Sequence, residues 1–410
     1  MASHPCRICG SPVQTTFVDL GMSPPCEAFL PASRVDDGET FYPLHVGICD
    51  RCLLVQLPEC LPADEIFTEE YVYFSSYSKF WVAHARRYAE RMTTELGLGP
   101  HSLVTEVASN DGYLLQHFHA AGIPVLGVEP SGGVAKAALE KGIRTEVTFL
   151  GAETGQELAA RYGRADLVAG NNVFAHVPDL RDFVAGLAAL LAEDGLLTLE
   201  FPHLMRLIEG RQYDTIYHEH FQYLTVLTAQ RALALSDLVV VDVEQLNTHG
   251  GSLRLHVRHA AAGHAIGPAV AEVLALEEAA GLHTVEGHLG FARAVDKIKF
   301  DLLEFLIGAA REGKTVAGYG APGKGNTLLN HCGIRADLLP YTVDINPHKH
   351  GMFLPGTHIP IHPVERIRET RPDYVLVLPW NLRTEIEPQL SYVAEWGGRL
   401  VFPIPELTVI

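Results

Sequence analysis

Between residues 103 and 201 short apolar runs alternate with amphipathic stretches, and this alternation restricts the possible folds more than any other feature of the chain. Leu103–Ala108 is apolar and β-prone, and a polar Gly turn separates it from a helical stretch over Tyr113–Ala121. Pro124–Val128 forms a second strand ending at Glu129, with a helix predicted from about Gly133 to Lys141. Ala165–Gly170 and Gly195–Phe201 are further strands on either side of a helix over Leu180–Ala192. A strand–helix–strand rhythm of this kind builds a parallel sheet with helices on both faces. Two long β-rich runs follow, Leu238–Leu246 and Ser252–His259, joined only by Asn247-Thr248-His249-Gly250-Gly251. No helix fits in that joint, so the two runs pair antiparallel.

The expected class is therefore α/β. A mostly parallel sheet closed by one antiparallel hairpin is the layout of class I methyltransferases. Residues from about Gly267 to Gly313 are helical in pattern, and the β-α rhythm then restarts with Lys314–Gly318, Leu339–Asp344, Tyr374–Leu378 and Arg399–Phe402. This predicts a second, smaller Rossmann-like unit. Residues Tyr77 to about Gly97 read as an amphipathic helix, and the segment before it is rich in Pro and Cys. At about 150 residues per domain, 410 residues suggest two or three domains. The expected divisions are 1–70, 71–262 and 263–410, the last including a helical linker.

Charge and cysteine usage exclude several classes. A formal net charge of −18 repels a nucleic-acid backbone and disfavours an anionic membrane surface. There is no run of 18 apolar residues and no basic-then-apolar start, so neither a membrane span nor a signal peptide is expected. Seven cysteines, an odd number, point to a reducing, cytoplasmic setting with thiols used for metal.

Cys6-Arg7-Ile8-Cys9 and Cys49-Asp50-Arg51-Cys52 form a CxxC…CxxC pair. Four thiolates suit tetrahedral zinc, and a two-residue gap lets both sulfurs of a knuckle reach one ion. The 39 intervening residues exceed the spacing of compact zinc ribbons, so a strand excursion between the knuckles is expected. No open ligand position is evident, and the predicted role of Cys6, Cys9, Cys49 and Cys52 is structural. Unligated thiols and a redox dithiol are the competing readings.

The loop Thr105-Glu106-Val107-Ala108-Ser109-Asn110-Asp111-Gly112 ends the first strand of the middle unit. Small residues let the backbone approach a nucleoside, and the following helix offers its positive N-terminus. Glu129 ends the next strand, where an acid hydrogen-bonds ribose hydroxyls in dinucleotide folds. Asn171-Asn172 ends the Asp166–Gly170 strand. These features alone do not separate S-adenosylmethionine (SAM) from NAD. The loop lacks G-x-G-x-x-G, however, and Glu106 with the single Gly112 fits SAM better. The predicted cofactor residues are Glu106, Ala108, Asn110, Gly112, Glu129, Asn171 and Asn172.

Tyr217-His218-Glu219-His220 falls on the carboxyl-end rim of the sheet, beside the cofactor. Four such side chains in a row are hard to bury without purpose. They admit a metal pair of His218 with His220, a solvated loop, or an acid–base cluster. The acid–base reading is favoured by what methylating carbon requires. A base must remove a proton alpha to a carbonyl, and a donor must hold the developing oxyanion. Neutral imidazole is such a base near neutral pH.

With these segments, Tyr71-Val72-Tyr73-Phe74-Ser75-Ser76, Asn172-Val173-Phe174-Ala175-His176-Val177, His249-Gly250-Gly251-Ser252-Leu253-Arg254 and Gly318-Tyr319-Gly320-Ala321 complete a pattern in fixed order. Over essentially its whole length the chain resembles the dTDP-sugar C-methyltransferases of deoxysugar biosynthesis. In particular it is similar to those acting at carbon 3 of a dTDP-3-amino-4-keto-2,3,6-trideoxyglucose in tetronitrose formation. The resemblance implies a monomer with zinc, SAM and C-terminal domains, and a nucleotide-sugar cleft between the last two. It implies His220 as the base removing the carbon-3 proton, with Tyr217 and Glu219 orienting the sugar or stabilising the enolate. It also implies Tyr71 and His176 as lining residues. Tyr217 and Tyr223 are counted with the substrate-binding set.

Gly318-Tyr319-Gly320-Ala321-Pro322-Gly323-Lys324-Gly325-Asn326 follows a strand and precedes a helix, without Walker A spacing. Such a turn can cradle a diphosphate, with Lys324 adding positive charge. A purely structural turn and a second cofactor site are the alternatives. Contacts from Gly318, Tyr319, Lys324 and Asn326 to the substrate's phosphates or sugar are preferred.

Overall fold

β1 (Thr15–Ser23), β2 (Tyr42–Ile48) and β3 (Val55–Gln56) form an antiparallel meander. Phe17, Val18, Leu20, Leu44, Val46 and Ile48 bury one layer of it. The computed structural model describes residues 3–62 and 74–410, so Tyr71 lies outside the described residues. α1 (Lys79–Leu96) begins at Ser78, whose hydroxyl accepts from the Trp81 N–H, and stops at Gly97 with a left-handed φ of 60°. Its buried stripe of Trp81, Ala85, Tyr88, Ala89 and Met92 follows the helical period and packs on the central sheet.

The central unit runs β4 (Val104–Val107), α2 (Leu115–Ala120), β5 (Val125–Val128), α3 (Gly132–Glu140), β6 (Thr145–Glu146), α4 (Ala152–Tyr162), β7 (Ala165–Asn171), α5 (Leu180–Leu190) and β8 (Leu191–Pro202). β9 (Gln222–Tyr223), α6 (Val226–Leu233), β10 (Leu238–Leu246) and β11 (Ser252–His259) follow. The seven-stranded sheet has the order β10-β11-β8-β7-β4-β5-β6. β11 is antiparallel to both β8 and β10, and the other pairings are parallel. Every residue of β4 and β5 is buried because helices cover both faces. α4 and α5 cross at Gly155 and Gly186, where an added Cβ on Gly155 would stand 2.7 Å from the Gly186 carbonyl oxygen. The class I methyltransferase fold read from the sequence is thus present, hairpin included.

β9 does not join that sheet. It pairs antiparallel with β3, setting Gln222 opposite Gln56 and Tyr223 opposite Val55. The segment directly after residues 217–220 is therefore an edge strand of the N-terminal sheet.

The chain continues with α7 (Pro268–Ala279), α8 (Phe291–Arg311), β12 (Val316–Tyr319), α9 (Gly323–Cys332), β13 (Thr342–Asp344), β14 (Ile361–Pro363), β15 (Tyr374–Val377), β16 (Arg399–Phe402) and β17 (Thr408–Val409). The second sheet has the order β14-β13-β12-β15-β16-β17, parallel except for β17. α8 buries Phe291, Val295, Ile298, Leu302 and Leu306 in a core shared with β1 and β2, and Phe291 stacks on Phe17 with centroids 4.9 Å apart. Side chains of this kind contribute about 1.5–3 kcal/mol each when fully buried, so α8 fixes the N-terminal sheet to the C-terminal unit. Among the described residues, no helix is long and apolar enough to cross a membrane.

Candidate active site

The two CxxC knuckles meet beneath the N-terminal sheet, and β1 and β2 form the excursion between them. The four sulfurs of Cys6, Cys9, Cys49 and Cys52 all lie within 4.8 Å of one another. Cys6 Sγ is 3.3 Å from Cys52 Sγ, and Cys9 Sγ is 3.5 Å from Cys49 Sγ. Sulfurs about 2.3 Å from a tetrahedral zinc stand roughly 3.8 Å apart, so the cluster has the dimensions of a zinc site. Gln56 Nε2 donates to Cys6 Sγ at 3.3 Å, the kind of outer hydrogen bond that orients a metal ligand. No other group of His, Cys, Asp or Glu among the described residues is placed to hold a metal.

At the carboxyl ends of β4, β5 and β7 the backbone takes an unusual path. Ala108, Asn110 and Asn172 have φ of 57°, 50° and 54°, a region that non-glycine residues rarely occupy and that clusters at ligand sites. Glu129 ties the loops together by accepting from the Asn110 N–H and the Ser131 N–H, each at 2.9 Å. Asn110 in turn accepts from the Ser75 N–H at 2.9 Å, and Lys141 binds Asp111 at its carbonyl and carboxylate. Asn171 donates to the Tyr113 hydroxyl at 3.0 Å. The buried oxygens Asp111 Oδ1, Asn171 Oδ1 and Asn172 Oδ1 have no partner among the described residues. Glu106 is fully buried in β4, and burial raises its carboxyl well above the usual range, with Glu129 and Asp111 adding to the rise. Gly112, with φ of 77°, has no room for a Cβ, which would stand 2.4 Å from Ile143 Cδ1. Carboxylates and amide oxygens at the ends of adjacent strands are groups of the kind that suit the ribose hydroxyls and the amine of a nucleoside–amino-acid cofactor.

Residues 217–220 turn over the same edge of the sheet. His220 Nδ1 lies 2.8 Å from the Thr215 carbonyl oxygen, which can only accept. Nδ1 therefore carries the proton and Nε2 keeps the basic lone pair. The ring is 4.6 Å from His176 and 4.1 Å from Tyr217 between centroids, with Tyr223 at 6.2 Å. Burial, aided by His176, His249 and Lys324, holds the His220 imidazole well below its ordinary value, so it is neutral. Burial likewise lowers His176 to about 4. His218 faces the other way, its ring 5.8 Å from Tyr42 on β2, so His218 and His220 do not converge as a metal pair. Glu219 is pushed up to about 8 by burial and by Glu27, and Tyr217 is raised well above the phenol range by burial.

Lys324 lies in the first turn of α9. Its Nζ donates to Asn381 Oδ1 at 3.0 Å and sits 4.6 Å above the Trp380 ring. Trp380 Nε1 donates to the buried Asp214 at 2.6 Å. Asn326 holds the Cys26 carbonyl at 2.6 Å, joining α9 to the N-terminal segment. Gly318 lies within the β12 ladder, and the Tyr319 hydroxyl donates to Gln389 at 3.3 Å, so neither is brought to the group around His220.

Three family models cover the chain: a zinc binding domain over residues 6–67, a methyltransferase domain over 81–243 and a C-methyltransferase C-terminal domain over 247–405. Over 405 residues the chain is 38% identical to the C-methyltransferase NovU of Streptomyces niveus, an alignment spanning 99% of this chain and 96% of that protein. The chain belongs to the C-methyltransferase family. Solved structures similar to this C-methyltransferase include a SAM-dependent methyltransferase from Anabaena variabilis, 15% identical with a TM-score of 0.35, covering 42% of this chain and 84% of that one. Another is the magnesium protoporphyrin IX methyltransferase of Synechocystis PCC 6803 with bound SAH, 20% identical with a TM-score of 0.33, covering 43% and 83%.

This C-methyltransferase uses SAM as its cofactor and binds zinc through the four-cysteine module. The sequence reading missed a buried polar group behind these strand ends. Glu200 on β8 is fully buried and accepts from Arg254 on β11, from His84 on α1 and from the Thr248 hydroxyl. Arg254 stands directly opposite Glu200 in the β8–β11 register, so only the strand pairing exposes the relation. Trp81 packs between Tyr113 and His249, with centroids 5.9 and 5.1 Å away.

Proposed function

We propose that this C-methyltransferase methylates carbon 3 of a dTDP-linked 3-amino-4-keto-2,3,6-trideoxyhexose through an enolate, as a step in building an antibiotic deoxysugar. The observation that carries the reading is His220: a neutral ring whose Nδ1 proton is committed to the Thr215 carbonyl, leaving Nε2 as the base. Methylation of oxygen or nitrogen starts from an existing lone pair, whereas carbon needs a base and an oxyanion donor together.

In this mechanism His220 Nε2 takes the carbon-3 proton, acidified by the adjacent 4-keto group, and becomes an imidazolium. Glu219, protonated below about pH 8, and Tyr217, held as a phenol by burial, both have a proton to donate to the enolate oxygen. His176 stays neutral beside the base and limits its freedom of rotation. Lys324 and the N-terminal turn of α9 take the diphosphate, and Tyr223 lines the sugar. Asn171, Asn172, Asn110, Ala108, Gly112, Glu106 and Glu129 form the cofactor pocket, where SAM supplies an electrophilic methyl group. Replacing His220 by Asn should lower methyl transfer by about 10²–10⁴-fold. S-adenosylhomocysteine should still raise the melting temperature of that variant. Full activity in H220N removes His220 as the base.

A further inference from the structure

Arg7 lies between the zinc ligands Cys6 and Cys9, yet its side chain reaches out of the knuckle. Its Nε donates to the Pro178 carbonyl at 3.0 Å, and Nη1 donates to the Leu57 carbonyl at 2.8 Å and the Phe221 carbonyl at 3.2 Å. The guanidinium carbon is 5.3 Å from the Phe221 ring centroid. Phe221 directly follows His220, and Pro178 lies two residues beyond His176. The same two segments are already laced together, because the Phe221 N–H donates to the Ala175 carbonyl at 2.8 Å and Gln222 Nε2 donates to the Phe174 carbonyl at 2.5 Å. Arg7 itself is held from the metal side. Its backbone N–H donates to Gln56 Oε1 at 3.1 Å, while Nε2 of that glutamine donates to Cys6 Sγ. Gln56 is also the cross-strand partner of Gln222.

We propose that Arg7 is a positioning residue for methyl transfer, through which the zinc knuckle sets the placement of His220 against His176. Four thiolates around a divalent cation leave two net negative charges, which favour a guanidinium at the rim of the site. A planar fork with several fixed donors holds two separate carbonyl-bearing segments in one geometry, as the single point charge of a lysine does not. Partners that orient the ligands of a metal site are typically worth 10–100-fold in metal affinity or activity, and the same order is expected for a side chain that orients a catalytic base. The inference rests on the assignment of His220 as base.

The test compares wild type, Arg7→Met, Arg7→Lys and His220→Asn, each as zinc-loaded full-length protein with its zinc content measured. The readouts are kcat, KM for SAM and for the dTDP-sugar, the pH profile of kcat/KM, and exchange of the substrate α-proton with deuterated solvent in the presence of S-adenosylhomocysteine. The expected result for R7M is one zinc per chain, a kcat and an exchange rate both lowered by about 10–100-fold, a KM for SAM within about threefold of wild type, and a displaced acid limb of the pH profile. R7K should fall between R7M and wild type. If R7M does not fold, R7K alone decides by the same readouts. Wild-type kcat, exchange and pH profile in the folded variant overturn the proposal. So does a loss of activity that only tracks the folded fraction with an unmoved pH profile. Activity in H220N instead overturns the base assignment, a distinguishable outcome.

Discussion

Replacing Glu219 by Gln isolates one proton in the cleft. Glu219 is half-buried in the folded chain, where desolvation first and Glu27 second raise its carboxyl from 4.5 to about 8. Below pH 4.5 the group is protonated in folded and unfolded chains alike and adds no difference between Glu and Gln. As the pH rises from 4.5 to 8, the unfolded chain has released the proton and the folded chain has not. Wild-type stability therefore falls by about 1.4 kcal/mol per pH unit, or about 5 kcal/mol over that interval, and is level above it. Gln has no such proton. The stability of E219Q relative to wild type should accordingly be about 1 kcal/mol at pH 5 and rise to about 4–5 kcal/mol by pH 8.5. Thermal melts of both proteins across pH 5–9 read this as a gap in melting temperature that widens by several degrees. The alkaline limb of wild-type kcat, near pH 8, should also disappear in E219Q, because the amide donates at every pH. A gap that stays constant with pH, together with an unchanged alkaline limb, would refute the reasoning that Glu219 is a neutral donor at pH 7.

Two other substitutions test separate parts of the cleft. Arg254→Met leaves the buried Glu200 carboxylate with only His84 and Thr248, and should cost about 3–5 kcal/mol in urea denaturation, most of it recovered in the Glu200→Gln/Arg254→Met double variant. Lys324→Met removes a charged donor from the start of α9 and should raise KM for the dTDP-sugar by about 10–100-fold, while calorimetry shows SAM affinity unchanged.

The sequence disclosed those parts of the molecule whose signals are local. The hairpin of β10 and β11 was legible because five residues between two long β-rich runs leave no space for a crossover. The zinc module was legible because paired thiols at two-residue gaps have few other uses. α4 was not, since its buried side is only Gly155 and Leu158, and a stripe that narrow leaves no apolar period to read. The pairing of β9 with β3 was equally hidden, because two-residue strands carry no alternation and the partners are distant in sequence. Glu200 sat unnoticed inside an apolar run, and its meaning depends on the residue opposite in β11. For the same reason His220, Glu219 and Tyr217 were identifiable as a block, but the opposed directions of His218 and His220 needed the structure.

The most direct measurement follows a deuterium label placed at carbon 3 of the dTDP-keto-sugar during turnover with SAM. Removal of that hydrogen by His220 predicts a methylated product free of the label, and label loss to water without methyl transfer when S-adenosylhomocysteine replaces SAM in wild type but not in H220N. A methylated product that keeps its deuterium at carbon 3 would contradict the mechanism.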